Sequence, residues 1–496
     1  MKKSLFIITQ FLSVLVVANN PEIRNTRLVS EKQIEFEVKW DHCWKMDTGP
    51  SNHDALWIFL KISSNNIGWT HLDLSSQISD YENQLSGYTE IMTVSDHKGF
   101  FLKATSTCAA MPWQKIRIGL KNPLSDSLFY FKIFAIEMVF IPDGSFFLGD
   151  SISINSFCKG TSTSPFHIGS ENAIRSGNCD TCLNSLDLCT PATLIPATYP
   201  KGYKGFYIMK YEISQQQYVA FLNTLPVSLQ VLHTAVSPYN AAGTFAMGNE
   251  ALQGRNSIVI TRSSTGNIPA AYGCNGNLNG QTDENDDGGW RAANLLNWND
   301  ILAYLDWASL RPLTETEFEK TCRGPQSPIA GEFCWGTPLI TDANTIIFDG
   351  TPFETASDEI APGSGFANTG YEGLTGPLRC GFSGRGTTNR LTAGATYYGV
   401  FEMSGNVWEL VVTTSEAGVL FEGNNGDGLA DNQIFGNDPS WPGNDGAGYR
   451  GGAWNSGIYN PGQWRDLAVS DRYYAGLKPD IRRTTSGGRG ARTIIE

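Results

Sequence analysis

The sequence predicts two units in tandem: an all-β sandwich, then an α+β unit of short strands, a few helices and glycine-rich loops. Three observations carry this reading. Up to about residue 136, apolar residues alternate along short runs separated by turn-rich segments. Beyond that point glycine rises, the strand-like runs shorten, and only a few segments show helical periodicity. At 496 residues the chain is also too long for one simple core.

Residues 1–18 read as a secretory signal peptide. Lys2 and Lys3 give a basic start, Leu5 to Val17 an apolar run too short for a comfortable membrane span, and Val16 and Ala18 the small residues of a cleavage site. The first cysteine is Cys43, so a lipid-anchored form is not expected. After signal removal no stretch is long and apolar enough to span a membrane. The expected destination is secreted or periplasmic, with cell-surface attachment open.

Residues 19–136 are the expected sandwich. "KQIEFEVKW" puts Ile34, Phe36, Val38 and Trp40 on one face, and "KIRIGL" does the same with Ile116, Ile118 and Leu120. "ALWIFLKI" is unbroken apolar sequence, the mark of a strand covered on both faces.

Residues 137–496 are the expected second domain, with a Ser/Thr/Cys-rich insertion at about 151–200. "GFYIMK" reads as a strand. Ser214 then caps a helix with Gln217 completing a capping box, and Tyr218, Phe221, Leu222 and Leu225 form its apolar face. Ile301, Tyr304, Leu305 and Ala308 mark a second helix. Pro312 interrupts it, and Thr314 with Glu317 opens a third.

The net charge of −13 and pI near 5.0 argue against nucleic acid as a partner, because that contact needs a basic footprint. Ten cysteines in an exported chain point to disulfides. Cys43 and Cys108 are candidates to pair, as are Cys322 and Cys334. Cys158, Cys179, Cys182 and Cys189 admit two disulfides or a zinc site. In "DENDDG", Asp283, Asn285 and Asp287 alternate before Gly288 like the first half of an EF-hand loop, although Asn294 stands where the closing glutamate belongs. They are candidate ligands of a second calcium.

Five motifs in order, "FIPDGSFFLGD", "FYIMKYEISQQQYVAFLN", "NWNDILAYLDWASLRPLTETEFEK", "GVFEMSGNVWEL" and "YRGGAWNSG", resemble the formylglycine-generating enzyme (sulfatase-modifying factor, FGE-sulfatase) family. The resemblance covers roughly residues 137–496 and implies a C-type-lectin-like α+β fold with a mixed sheet, few helices and much coil. It also implies a structural calcium held by the carboxylates of Glu402 and Glu409 and the backbone carbonyls of Gly405 and Val407. Calcium takes such mixed oxygen shells.

Enzymes of that family oxidise a substrate cysteine to formylglycine with two copper-binding cysteines of their own. Counting from Gly451 and Gly452 places Ser456 and Pro461 at those positions, and no cysteine follows Cys380. Hydroxyl and ring carbon do not suit soft Cu(I). All six histidines lie at or before His233, which argues against a three-histidine iron site. Neither copper nor iron is expected, and the catalytic positions read as degenerate.

The same region is rich in aromatics and arginine, the usual anchors of recognition surfaces. Trp454, Ser456, Tyr459, Trp464, Arg472 and Tyr473 are the candidate ligand-binding residues. Against this stands a reading in which Trp454 and Trp464 are core and the arginines pair with acids. The expected function is a non-catalytic binding or cell-envelope structural module for a glycan, peptide or envelope protein. An enzyme of altered chemistry and a hypervariable receptor on the same fold stay open.

Overall fold

The structure is a computed structural model that describes residues 21–494, except 85–86, 109–110, 125–128, 154, 186–188, 371–372, 374, 386–387, 431–437 and 460–464. The signal-peptide reading lies outside the described residues. The first unit contains β1 (Glu22–Ser30), β2 (Gln33–Lys39), β3 (Asp54–Ser63), β4 (Glu82–Asn83), β5 (Thr89–Thr93), β6 (Phe100–Ala104), β7 (Gln114–Gly119) and β8 (Tyr130–Ile141). The second adds β9 (Phe206–Met209), β10 (Arg311–Pro312), β11 (Trp408–Val412), β12 (Ala447–Arg450), β13 (Ser486–Gly487) and β14 (Gly490–Thr493). Its main helices are α1 (Gln215–Leu222), α2 (Val227–His233), α3 (Trp298–Trp307) and α4 (Glu315–Arg323).

Two layers make the sandwich. One is a four-stranded sheet in the order β1-β2-β7-β4. The other is part of an eight-stranded sheet ordered β10-β14-β9-β8-β3-β6-β5, with Thr70–His71 alongside β3. Ile34, Phe36 and Val38 of β2 and Ile116 and Ile118 of β7 pack with Leu56, Ile58 and Leu60 of β3. The expected period-2 faces therefore meet as a sandwich core. A Cys43–Cys108 disulfide ties its loops together.

β3 explains its own unbroken apolar run. Leu56, Ile58 and Leu60 face the sandwich core, whereas Ala55, Trp57 and Phe59 join a second core with residues of α1 and α3. Both faces are covered, so the whole strand is buried.

The expected boundary between residues 136 and 137 falls inside β8. β8 is continuous across it. Along one edge β8 pairs with β3, from Asp54↔Val139 to Ser63↔Tyr130. Along the other its end pairs with β9, from Phe206↔Ile141 to Met209↔Met138. The two units share one sheet rather than a linker. Trp57 Nε1 donates to Ala308 O at 2.9 Å and Lys61 Nζ to Trp307 O at 2.7 Å. Burial pushes the Lys61 amine well below its ordinary range.

Ser214 and Thr314 cap α1 and α4 through full capping boxes with Gln217 and Glu317. Asn297 and Asp300 form a third box on α3 that the sequence reading missed. The insertion folds into small two-stranded ribbons, including Phe157–Lys159 with Leu183–Ser185. Cys179 and Cys182 form a disulfide, which removes two of the four thiolates a zinc site would need. Cys322 and Cys334 are not bonded to each other: both are buried thiols, and Cys334 Sγ donates to Gly394 O at 3.2 Å. Among the described residues no helix is long and apolar enough to cross a membrane.

Candidate functional site

The "EMSGNVWEL" segment is a tight corner leading into β11. Glu402 and Asn406 adopt left-handed backbone, with φ of +56° and +64°. Asparagine tolerates this region, but glutamate is strained there. Gly405 has φ +101°, and a Cβ on it would meet Asn368 O at 2.7 Å. Only glycine fits that approach. The turn delivers Glu409 into β11, between β12 and β13.

Three glutamates converge there with one arginine, and all four are buried. Arg489 Nε donates to Glu409 Oε1 at 2.7 Å, and its Nη1 reaches the carbonyls of Met209 and Lys210. Glu212 accepts the Val407 amide at 3.0 Å and the Asn406 side-chain amide at 2.5 Å. Glu402 Oε1 accepts the Gly381 amide at 2.9 Å, while Oε2 has no partner. Burial pushes the Glu402 carboxyl up to about 7 and Glu212 well above the carboxylate range. Burial also raises Glu409, with Arg489 opposing. Arg489 and Arg379 oppose the rise at Glu402.

The expected calcium ligands Glu402 and Glu409 both stand in this corner. Glu409 faces the Arg489 cation, and Val407 contributes its amide to Glu212. Sequence reasoning missed Glu212 and Arg489 because they lie 194 and 80 residues from Asn406 and Glu409, their partners.

Ser456 and Pro461, the positions that the resemblance matches to the family's copper-binding cysteines, follow β12 in the chain. Ser456 is buried at the start of a one-turn helix. Its Oγ accepts the Ala453 amide at 3.0 Å and donates to Asp466 Oδ2 at 3.0 Å. Both its hydrogen-bonding capacities are in use, and it is a hard donor. Pro461 and Trp464 lie outside the described residues, as does the Tyr459 side chain. Ser456 therefore does not suit copper.

Trp454 is half-buried, and its indole donates to Thr484 O at 3.0 Å. Tyr473 is 56% exposed and meets Tyr474 edge-on at 4.9 Å. Tyr474 in turn packs edge-on against Trp408 at 5.1 Å. Arg472 corrects the expected binding face. It is fully buried, donates to both oxygens of Glu315 at 2.7 and 2.9 Å, and stacks over Phe157 at 3.8 Å.

Arg450, Arg482 and Arg492 also pair with acids. Arg450 bridges Glu315 and Glu319, Arg482 grips Asp300, and Arg492 binds Asp96 while lying 3.9 Å over the Trp57 ring. These side chains brace the fold from within. The two arginines on Glu315 hold its carboxyl down at about 2, against the cost of burial.

The acidic loop sits apart, beside a cavity of about 260 Å³ lined by Asp283, Asn285 and Asp287. Of the expected ligand set, Asp283 Oδ1 accepts the Cys274 amide at 2.9 Å, and Asp287 belongs to a carboxylate cluster. Among the described residues, Glu284, Asp286 and Asp287 bring carboxylate oxygens within 4.8 Å of one another.

Residues 134–493 match the family model of the sulfatase-modifying factor enzyme 1-like domain. That match spans well over half of the chain, and the chain belongs to this FGE-sulfatase family. Comparison with curated proteins gives no match.

Proposed function

We propose that this chain is an exported, non-catalytic member of its family that uses the scaffold to bind rather than to oxidise. The observation that carries the reading is Ser456. It stands where the family's copper chemistry asks for a thiolate, and its hydroxyl is buried and committed to Asp466 and Ala453. No cysteine follows Cys380 to replace it.

Recognition falls to the aromatic ledge of Tyr473, Tyr474 and Trp408, whose outermost ring is exposed while Arg472 is locked beneath. Exposed tyrosine gives contact area at small entropic cost and suits a glycan, a peptide or an envelope protein. The test is oxygen uptake with a cysteine-containing sulfatase peptide and Cu(I). No uptake above the protein-free rate is expected. Turnover abolished by Ser456→Ala would overturn the proposal.

A further inference from the structure

The loop Asp283–Asp287 has features that the ledge and the degenerate oxidase positions do not absorb. Carboxylate oxygens of Glu284, Asp286 and Asp287 lie within 4.8 Å of one another. Like charges this close repel unless something positive sits among them. The adjacent cation is engaged elsewhere: Arg291 donates through Nε to Glu354 at 3.0 Å and through Nη2 to Asp349 at 2.8 Å.

A second, independent observation is the state of Asp287. It is 1% exposed and lines the cavity of about 260 Å³. Its Oδ2 accepts the Glu284 amide at 2.8 Å, while its Oδ1 has no hydrogen-bond partner. A buried carboxylate oxygen left unpaired is costly, and a bound cation removes that cost. The two exposed members are oriented from outside. Asn279 donates to Glu284 Oε2 at 2.5 Å and Asn277 to Asp286 Oδ1 at 3.0 Å. Each amide leaves the second oxygen of its carboxylate for another ligand.

We propose that Glu284, Asp286 and Asp287 bind a hard divalent cation of the calcium class at the edge of this cavity, which Glu284 and Asp287 line. The donors are all oxygen, and water completes a shell that calcium accepts at six to eight ligands. With two of the three carboxylates exposed, the affinity belongs to the weak extracellular range of about 0.1–1 mM. The inference is independent of the oxidase positions, because it involves neither Ser456 nor the aromatic ledge.

Trp290 lines the same cavity and supplies a reporter. Terbium, a calcium mimic, emits when a nearby excited indole transfers energy to it. Titration of the full chain with Tb³⁺ under indole excitation should give saturable emission that millimolar Ca²⁺ displaces. Calorimetry with Ca²⁺ alone should give the same stoichiometry. Asp287→Asn should weaken Ca²⁺ at least about tenfold, and Glu284→Gln, at an exposed position, should weaken it with no loss of folding. Trp290→Phe should remove most of the emission and keep the calcium heat. Absence of calcium heat at several millimolar in the parent would overturn the proposal, as would unchanged binding in both carboxylate variants.

Discussion

Arg489 Nε and Glu409 Oε1 lie 2.7 Å apart with both side chains out of reach of solvent, joining β11 to the segment just before β14. A buried pair of this kind need not add net stability, but losing one member strands the other. Arg489→Met should therefore cost about 3–5 kcal/mol. Arg489→Lys should recover only part, since it lacks the planar fork that also reaches Met209 and Lys210. Urea unfolding midpoints of the variants would check the order.

Glu402 gives the corner a pH signature. Its folded carboxyl is raised by burial to about 7, so the folded state holds a proton that the unfolded state has released. Glu212 and Glu409 share the pocket, with Arg489 and Arg379 opposing. Stability should fall as pH rises from the unfolded value of 4.5 through 7, then level off. Glu402→Gln keeps an oxygen for the Gly381 amide and should flatten that slope by on the order of 2 kcal/mol. Unfolding midpoints at pH 5, 6.5 and 8 would show it.

Glu315 works in the opposite sense. Its carboxyl is held at about 2 by Arg472 and Arg450, so its contribution is full above the unfolded value of 4.5 and lost as pH drops toward 2. Glu315→Gln should remove on the order of 3 kcal/mol at neutral pH. It should also free the segment around Arg472 for proteolysis. A cleavage rate there equal to the parent's would count against the brace.

The Cys43–Cys108 bridge closes a loop with a sequence separation of 65 within the sandwich. Replacing both cysteines with alanine should lower stability by about 2–4 kcal/mol. Because the sandwich sheet continues into the family domain, the loss should appear in a single shared transition by calorimetry.

Local patterns were legible in the sequence and distant pairings were not. Ser214–Gln217 and Thr314–Glu317 are separated by one turn, and both boxes form as read. The period-2 faces of β2 and β7 and the two-sided burial of β3 also follow from short windows. Nothing short could show that β8 serves two units, because its alternation runs on without a break while its two neighbours, β3 and β9, come from opposite sides. Arg472 was legible as chemistry but not as position. Its partner Glu315 is 157 residues away, and the same guanidinium suits a ligand or an internal acid. The acidic loop was legible as a cluster, yet which carboxylates gather depends on Asp283 turning to the Cys274 amide.

The shared strand also decides how this protein can be cut. A chain begun at residue 134, where the family match starts, would discard β3 and leave one flank of β8 without its hydrogen-bonded neighbour. Naked sheet edges recruit other chains. Such a fragment should precipitate or self-associate, and the sandwich is better regarded as the lid on that edge than as an appendage.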